Sequence, residues 1–140
     1  MEWQRDGFLI SDDPGRLDLD FVARELQETY WAKGRPAETI RRSIENSLCL
    51  GVYEGERQVG FARVVTDGCT FSWVCDVFIA AGCQGRGLGT WLIQCLVQHP
   101  RIERTTMLLG TRDAHGLYEK VGFGRREMMI RYPPAGQKRA

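Results

Sequence analysis

The stretch Gln84-Gly85-Arg86-Gly87-Leu88-Gly89 stands between an apolar run that ends at Ile79 and a helical pattern that continues to His99. Glycine lets backbone N–H groups turn toward an anion without an obstructing side chain, and a following helix adds its own unpaired N-terminal N–H groups. Three glycines at alternate positions therefore predict a loop that holds a pyrophosphate. The alternative is a tight turn between strand and helix, which needs only one or two glycines.

Two other phosphate-binding motifs do not fit this loop. The dinucleotide fingerprint G-x-G-x-x-G requires a third glycine where Thr90 stands, and the phosphate loop G-x-x-x-x-G-K-[ST] requires a lysine where Leu88 stands. The spelling Q-x-x-G-x-G instead resembles the acyl-CoA loop of the GCN5-related N-acetyltransferases, the GNAT superfamily.

Composition and charge agree with one small enzyme domain. The chain has 140 residues, of which 43% are hydrophobic, enough for a core without disulfides. The formal net charge of +1 gives no reason to expect nucleic acid or an anionic membrane as the main partner. We expect a single domain over residues 1–132 and a flexible tail over residues 133–140.

The absence of certain sequence features predicts the cellular location and the metal content of the protein. No apolar run approaches the ~20 residues of a membrane span, and the N-terminus has no signal-peptide core, so we expect a cytoplasmic protein. The five cysteines form no C-x-x-C pair and are accompanied by only two histidines, so no metal site is expected.

Hydrophobic periodicity predicts helices first, then an antiparallel meander, then a strand–helix–strand unit. The predicted elements are a strand near 8–10, a helix from Asp13 to about residue 30, a helix opened by Pro36, strands 48–53, 58–66 and 69–79, a helix ending near 99, a doubly buried strand 107–109, a short helix capped by Asp113, and a last strand 123–130. In the strand 69–79, alternation places Asp76 on one face with Ser72 and Val74. This order resembles that of the GNAT fold, which implies a mixed α/β fold with a mostly antiparallel sheet, a parallel βαβ pair at the acyl-CoA site and about four helices.

A second motif supports the resemblance. Residues 111–123 read TRDAHGLYEKVGF and end in Y-x-x-x-G-F, like the closing segment of the GNAT domain. Many relatives carry an asparagine just after the fifth strand that holds the pantetheine arm, and here Thr111 or Asp113 occupies that region.

The resemblance implies acetyl-CoA as cosubstrate and direct attack of an amine on the thioester, with no metal and no covalent enzyme intermediate. By matching position, backbone groups of Val77 and Ile79 would pair with the pantetheine, and an N–H near Val77 or Phe78 would face the thioester oxygen. The residues that would hold the pyrophosphate are Gln84, Gly85, Arg86, Gly87, Leu88, Gly89 and Thr90.

Two residues are candidates for proton transfer. Tyr118 matches the tyrosine that protonates the departing sulfur in many relatives, and the alternative is a tyrosine of the core. Asp76 could accept the proton of the amine, and the alternative is an ion pair, for example with Arg63. Glu25 and Glu28 on the first helix are further carboxylates, for which a solvated face is the alternative.

Acceptor choice is expected in the loop between the first two helices, which borders the acyl end of the cleft in this family. Its candidate residues are Tyr30, Trp31, Lys33 and Arg35, with packing of the two helices as the alternative for Trp31. The resulting hypothesis is N-acetylation of a small-molecule primary amine, by a chain that could form a homodimer. Acetylation of a protein or peptide, or non-catalytic sensing of acyl-CoA, are the alternatives.

Overall fold

The computed structural model describes residues 1–134. Its strands are β1 (Glu2–Arg5), β2 (Phe8–Ser11), β3 (Leu48–Glu54), β4 (Arg57–Thr66), β5 (Phe71–Ile79) and β6 (Thr106–Leu108), and its α-helices are α1 (Leu19–Gln27), α2 (Ala37–Glu45), α3 (Leu88–Val97) and α4 (His115–Glu119). The strands form one sheet in sequence order, antiparallel except for the parallel pair β5–β6, which α3 connects. The predicted mixed α/β fold is thereby confirmed.

Two apolar clusters form the core. One contains the buried face of α3, including Leu92 and Leu96, packed against β2 to β5. The other joins Val22 of α1 and Ile40 of α2 to Phe61 of β4. Each fully buried side chain of this kind stabilises the fold by roughly 1.5–3 kcal/mol, so the helices are held mainly by their apolar faces.

A β-bulge interrupts β5 opposite β4. Phe61 pairs with Phe78, and Arg63 pairs with Cys75. Between these two pairs β4 has one residue and β5 has two, so β5 contains one extra residue. Asp76 lies within the bulge and has a left-handed backbone with φ of +54°. Such a backbone is strained for a residue with a side chain, although aspartate tolerates it better than most.

The bulge overturns the predicted alternation of β5. Val74, Val77 and Ile79 all belong to the cluster beneath α3, whereas Phe78 packs into the cluster beneath α1 and α2. The prediction that Asp76 shares a face with Val74 was therefore wrong. The extra residue shifts the faces after the bulge, and the sequence pattern carries no mark of it.

The N-terminal region differs from the prediction in two ways. Asp13 caps a separate 3₁₀ turn, Pro14–Arg16, and α1 begins only at Leu19, after a second cap in which Asp18 accepts from the N–H of Phe21. Strand β1 was not predicted, because most of its side chains are exposed and leave no apolar alternation. It pairs with β2 through a turn at Asp6-Gly7, where both residues have positive φ.

The C-terminal region contains the largest departure. The strand predicted over residues 123–130 is absent, and residues 124–134 are exposed along their whole length. Strand β6 is half-buried at Met107 and Leu108 rather than buried on both faces. Most of the tail predicted over 133–140 lies outside the described residues.

Candidate active site

Strands β5 and β6 diverge and leave a cleft between them. They pair over only three residues of each, Phe71–Trp73 and Thr106–Leu108. Beyond Trp73, β5 continues to Ile79, and along that edge it has no strand neighbour within residues 1–134. The opening has a volume of about 1560 Å³. Main-chain groups on such an edge can pair with an extended ligand as an added strand does.

The cleft collects most of the residues predicted for acyl-CoA. Arg86, which is exposed, is the one residue of that set that does not line it. The predicted residues that line the cleft are Val77, Phe78, Ile79, Gln84, Gly85, Gly87, Leu88, Gly89, Thr90, Thr111 and Asp113.

The glycine loop ends in an uncapped helix terminus. Gly85 and Gly87 have φ of +82° and +76°, a left-handed backbone that L side chains rarely adopt. Gly87 is the N-cap of α3 and supplies no side chain to its first turn, which also contains no acidic residue. Helix geometry leaves the N–H groups of Leu88, Gly89 and Thr90 without intrahelical partners, so this terminus suits an anion.

Two side chains tie the loop in place. The Gln84 side-chain amide donates to the carbonyl of Ile79 at 3.0 Å, so this side chain joins the loop to the end of β5. Arg5 of β1 donates to the carbonyl of Gly87 at 3.3 Å, and its guanidinium lies 4.8 Å from the Trp91 ring. Sequence reasoning missed Arg5, because nothing near residue 5 indicates that β1 reaches α3.

Tyr118 lies in the cleft wall on α4. Its side chain is buried, its ring meets Phe123 edge-on at 5.8 Å, and its hydroxyl has no hydrogen-bond partner in the described part of the chain. Burial, with a smaller contribution from Tyr30, raises the pKa of Tyr118 to about 12. The phenol therefore keeps its proton at neutral pH.

The turn before α4 is held by Thr111 rather than Asp113. The Thr111 hydroxyl accepts from the N–H of Ala114 at 3.0 Å, while Asp113 is exposed and makes no cap. The prediction that Asp113 caps this helix was wrong: the N-cap residue is Ala114, and no side chain caps α4. After α4, Gly122 takes φ of +100° and turns the chain so that Phe123 packs on Tyr118.

Asp76 is the centre of a buried polar cluster. Its Oδ2 accepts from Arg63 Nε at 2.8 Å and from Arg35 Nη1 at 2.9 Å, and its Oδ1 accepts from Trp31 Nε1 at 3.0 Å. The Asp76 side chain is 1% exposed, and those of Arg35 and Arg63 are 11% and 13% exposed. Buried charges persist only when paired in this way.

This cluster changes the interpretation of two predicted residues. Asp76 forms the ion pair with Arg63 that the sequence analysis gave as the alternative to a role as base. The carboxylate is shared by three donors and so is poorly placed to take a proton from an amine. Arg35, predicted to bind the acceptor, lines the cleft but donates to Asp76.

Tyr30 joins the loop between α1 and α2 to the segment after β6. Its ring meets Trp31 edge-on at 5.1 Å, and the Arg112 guanidinium lies 3.7 Å above it. The N–H of Arg112 also donates to the Tyr30 hydroxyl at 3.2 Å. Tyr30 and Trp31 therefore line the cleft as predicted, whereas Lys33 is exposed and does not line it.

Further residues of the cleft wall come from the C-terminal segment and from the end of α1. Residues 129–133 border the cleft although they form no secondary structure. Glu25 and Glu28 also line it, and neither pairs with a cation among the residues described.

A cleft beside an open strand edge, next to an uncapped helix terminus and a protonated tyrosine, fits acyl transfer from an extended, phosphorylated donor. Residues 45–125 match the family model described as an acetyltransferase (GNAT) domain. Because that match covers more than half of the chain, the protein belongs to the GNAT superfamily, whose members use acetyl-CoA. It is thus of the class of acetyl-CoA-dependent N-acetyltransferases.

Individual relatives agree with this assignment. A proposed acetyltransferase of Gibberella zeae is 31% identical over 145 residues, covering 86% of this chain and 81% of that protein. The crystal structure of a GNAT-family protein from Xanthomonas campestris pv. campestris superposes with a TM-score of 0.87 at 36% identity, covering 96% of this chain and 99% of that one.

A more distant structure supports the fold alone. A GNAT family acetyltransferase from Elizabethkingia anophelis, solved with acetyl-CoA bound, gives a TM-score of 0.68 at 14% identity and covers 88% of this chain and 80% of that one.

Within residues 1–134 of the present chain, no helix has the length and apolar character to cross a membrane.

Proposed function

We propose that the protein transfers the acetyl group of acetyl-CoA to the primary amine of a small molecule by direct attack. The observation that carries this proposal is that the open edge of β5, the N-terminus of α3 and Tyr118 line the same cleft. Acetyl-CoA supplies the activated acetyl thioester, and the residues of the chain bind, orient and exchange protons around it.

The residues present fit an extended, phosphorylated donor. Main-chain groups of Val77 and Ile79 face the open edge of β5, since the N–H of the next residue, Ala80, donates to Val59 of β4, and they suit the amides of a pantetheine arm. The uncapped N–H groups of α3 suit its pyrophosphate, because no acidic side chain in the first turn of that helix repels an anion.

Tyr118 is the proposed proton donor to the departing sulfur. Its pKa of about 12 is well above the usual value for a free thiol, near ~8.5, which by itself disfavours the transfer. A thiolate that leaves beside this hydroxyl in a cleft from which water is excluded is more basic than a free thiol, because desolvation disfavours the charged form. The tyrosine proton then passes to the sulfur as the carbon–sulfur bond breaks.

The proton of the attacking amine has a different exit. Asp76 already accepts from three donors, whereas Glu25 and Glu28 line the cleft beside the acceptor loop. We assign proton acceptance to water in contact with these two carboxylates, which also attract the ammonium form of an acceptor into the cleft.

The walls of the acceptor end favour a small aromatic amine. The aromatic side chains of Tyr30, Trp31, Phe78 and Tyr132 all line the cleft. Aromatic rings of this kind pack well against an aromatic acceptor. A rice relative named serotonin N-acetyltransferase 2 is 29% identical over 127 residues, covering 84% of this chain and 62% of that protein.

The proposal is tested by measuring CoA release against aromatic primary amines, aliphatic amines, amino acids and peptides. We expect the highest kcat/KM for an aromatic primary amine, and loss of turnover in Tyr118→Phe. Faster turnover of peptides would favour the protein-acetylating alternative. Tight binding of acetyl-CoA without turnover of any amine would favour a sensor and overturn the proposal.

A further inference from the structure

The buried polar cluster in the cleft carries more positive than negative charge. The guanidinium groups of Arg35 and Arg63 share one carboxylate, that of Asp76, at 2.9 and 2.8 Å. Both side chains are largely buried, and neither pairs with another carboxylate within residues 1–134. One positive charge is therefore left without a counter-ion in a partly desolvated site. Such a charge is costly unless an anion pairs with it.

Arg35 has hydrogen-bond donors left for a ligand. Its Nη1 donates to Asp76, whereas its Nε and Nη2 have no partner in the described part of the chain. These two nitrogens keep some accessible surface, because the Tyr53 hydroxyl is the one fully buried side-chain polar atom that lacks a partner in residues 1–134. Arg35 lines the cleft, so its free edge is open to a molecule bound there. Nε and Nη2 lie on one edge of the planar guanidinium and can hold both oxygens of a carboxylate.

Negative charge borders the same cleft. Glu25 of α1 and Glu28, the C-cap residue of that helix, line the cleft and pair with no cation among the residues described. The cleft thus offers both an excess positive charge at Arg35 and two free carboxylates. A zwitterion, which carries an ammonium and a carboxylate, complements both signs, whereas a simple amine leaves the positive charge unmatched.

The excess charge lies next to the edge that would bind the donor. Asp76, which holds Arg35, directly precedes Val77, whose main-chain groups face the open edge of β5. The pyrophosphate of the donor is already matched by the N-terminus of α3, so it does not require Arg35. An acceptor that reaches the thioester and also pairs with Arg35 must carry its anionic group only a few bonds from its nitrogen.

We propose that Arg35 binds the carboxylate of the acceptor, and that the acceptor is a free α-amino acid with an aromatic side chain. This inference rests on the proposed function and narrows its aromatic primary amines to those that also carry a carboxylate. In an α-amino acid one carbon separates the nitrogen from the carboxylate, and Tyr30 and Trp31 line the cleft where its ring would pack. The first residue of a peptide has an amide in place of this carboxylate, so it lacks the group that Arg35 selects.

The experiment compares phenylalanine with phenylalaninamide, in which a neutral amide of nearly the same shape replaces the carboxylate. The quantity measured is the ratio of their kcat/KM values. Arg35→Gln should lower this ratio about 10–100-fold, which is what a charge-assisted bidentate pair contributes. Comparing the wild-type ratio with that of the variant cancels the different intrinsic reactivities of the two amines. The variant should fold, because Asp76 keeps its ion pair with Arg63 and the cluster becomes neutral.

Two further variants sharpen the comparison. Arg35→Lys keeps the charge but loses the planar pair of donors, so its ratio should lie between those of the wild type and Arg35→Gln. The matched control is Arg42→Gln, which removes an exposed guanidinium of α2 that does not line the cleft, and its ratio should equal that of the wild type. Should Arg35→Gln not fold, Arg35→Lys takes its place.

The outcomes separate this inference from the proposed function. Turnover of both compounds with a ratio that Arg35→Gln leaves unchanged, or equal losses for both, would overturn the role of Arg35 and leave acetyl transfer intact. A loss of acetyl-CoA affinity in Arg35→Gln would assign this charge to the donor instead and would also overturn it. If no amine is turned over, the proposed function fails, and isothermal titration into the CoA complex decides on Arg35: phenylalanine that binds no more tightly than phenylalaninamide contradicts the inference.

Discussion

At the scale of single residues, two side chains in one cleft have opposite surroundings. Tyr118 keeps a proton on a hydroxyl that has no hydrogen-bond partner among the described residues, so the proton is available to a ligand. Asp76 has its carboxylate shared among three donors, so it is engaged before any ligand arrives. The first environment suits a proton donor, and the second suits an anchor that holds Trp31 and Arg35 against β5.

Removing the Tyr118 hydroxyl should slow turnover without loss of donor binding. In Tyr118→Phe the ring and its contact with Phe123 remain, so acetyl-CoA affinity should change little while kcat falls on the order of 10²-fold. In the wild type, ionisation of this group should cause no loss of kcat up to about pH 10, because its pKa is raised to about 12. Wild-type kcat in the variant, with chemistry rate-limiting, would remove Tyr118 from the mechanism.

Removing the Asp76 charge should reduce stability and should not mimic loss of a base. Asp76→Asn tolerates the left-handed backbone but leaves two buried guanidinium groups without their anion, at a cost on the order of 3 kcal/mol in the free energy of unfolding. Because the acceptor loop loses its anchor, kcat/KM should fall at all pH values to a similar extent.

Chemical denaturation and a pH–rate profile measure both effects. Glu38→Gln, which removes an exposed ion pair with Arg41, is the control and should leave the denaturation midpoint unchanged. Recovery of Asp76→Asn activity at high pH, where the amine is already neutral, would instead identify Asp76 as the base.

At the scale of secondary-structure elements, the cleft lies where the end of β5 has no neighbouring strand on one edge within residues 1–134 and the N-terminus of α3 has no side-chain cap. Strand β5 continues for six residues, Val74 to Ile79, beyond its last pair with β6. The N-cap residue of α3 is Gly87, which provides no side-chain cap. Each element therefore presents backbone groups that the fold leaves unpaired. Such groups favour a ligand that supplies both amides and phosphates.

A side chain at Gly87 should abolish this terminus as an anion site. Gly87→Glu forces a left-handed backbone on an L residue and adds a negative charge beside the proposed pyrophosphate site, so acetyl-CoA binding should be lost in isothermal titration. Gly55→Glu is the matched control, because Gly55 also has positive φ, has open space around its Cβ position and lies in the turn between β3 and β4. Unchanged affinity in Gly87→Glu would leave the loop as a turn only.

At the scale of the whole molecule, ligand and fold are linked, because the cleft is built from elements of both core clusters. Val77 belongs to the cluster beneath α3 and Phe78 to the cluster beneath α1 and α2, and both line the cleft. A ligand in the cleft therefore contacts both halves of the core and resists their separation.

Saturating acetyl-CoA should raise the melting temperature. At a concentration a hundred times Kd, binding adds about 2.7 kcal/mol, which corresponds to a shift of roughly 10 °C for a domain of this size. NAD should have a much smaller effect, and Gly87→Glu should show no shift. A melting temperature unmoved by acetyl-CoA in the wild type would contradict the proposed binding site.

The sequence predicted correctly those structural features that depend on residues close together in the chain. The glycine loop, the amphipathic α3 and the segment with Tyr118 depend on residues within one or two helical turns, and each lies where the sequence placed it. The strand expected at residues 123–130 does not form: its alternating pattern is local, whereas a strand also has to pair with a strand elsewhere in the chain.

By itself, then, the sequence determined the fold class, the position of the glycine loop and the family, because apolar periodicity and the conformational freedom of glycine are properties of neighbouring residues. Only the tertiary structure decided that Asp76 lies in a bulge and is held by Trp31, Arg35 and Arg63. Those donors come from a loop and a strand that are distant along the chain. Hydrogen bonds and burial act through space, so folding alone brought these residues together and made a candidate base into a buried anchor.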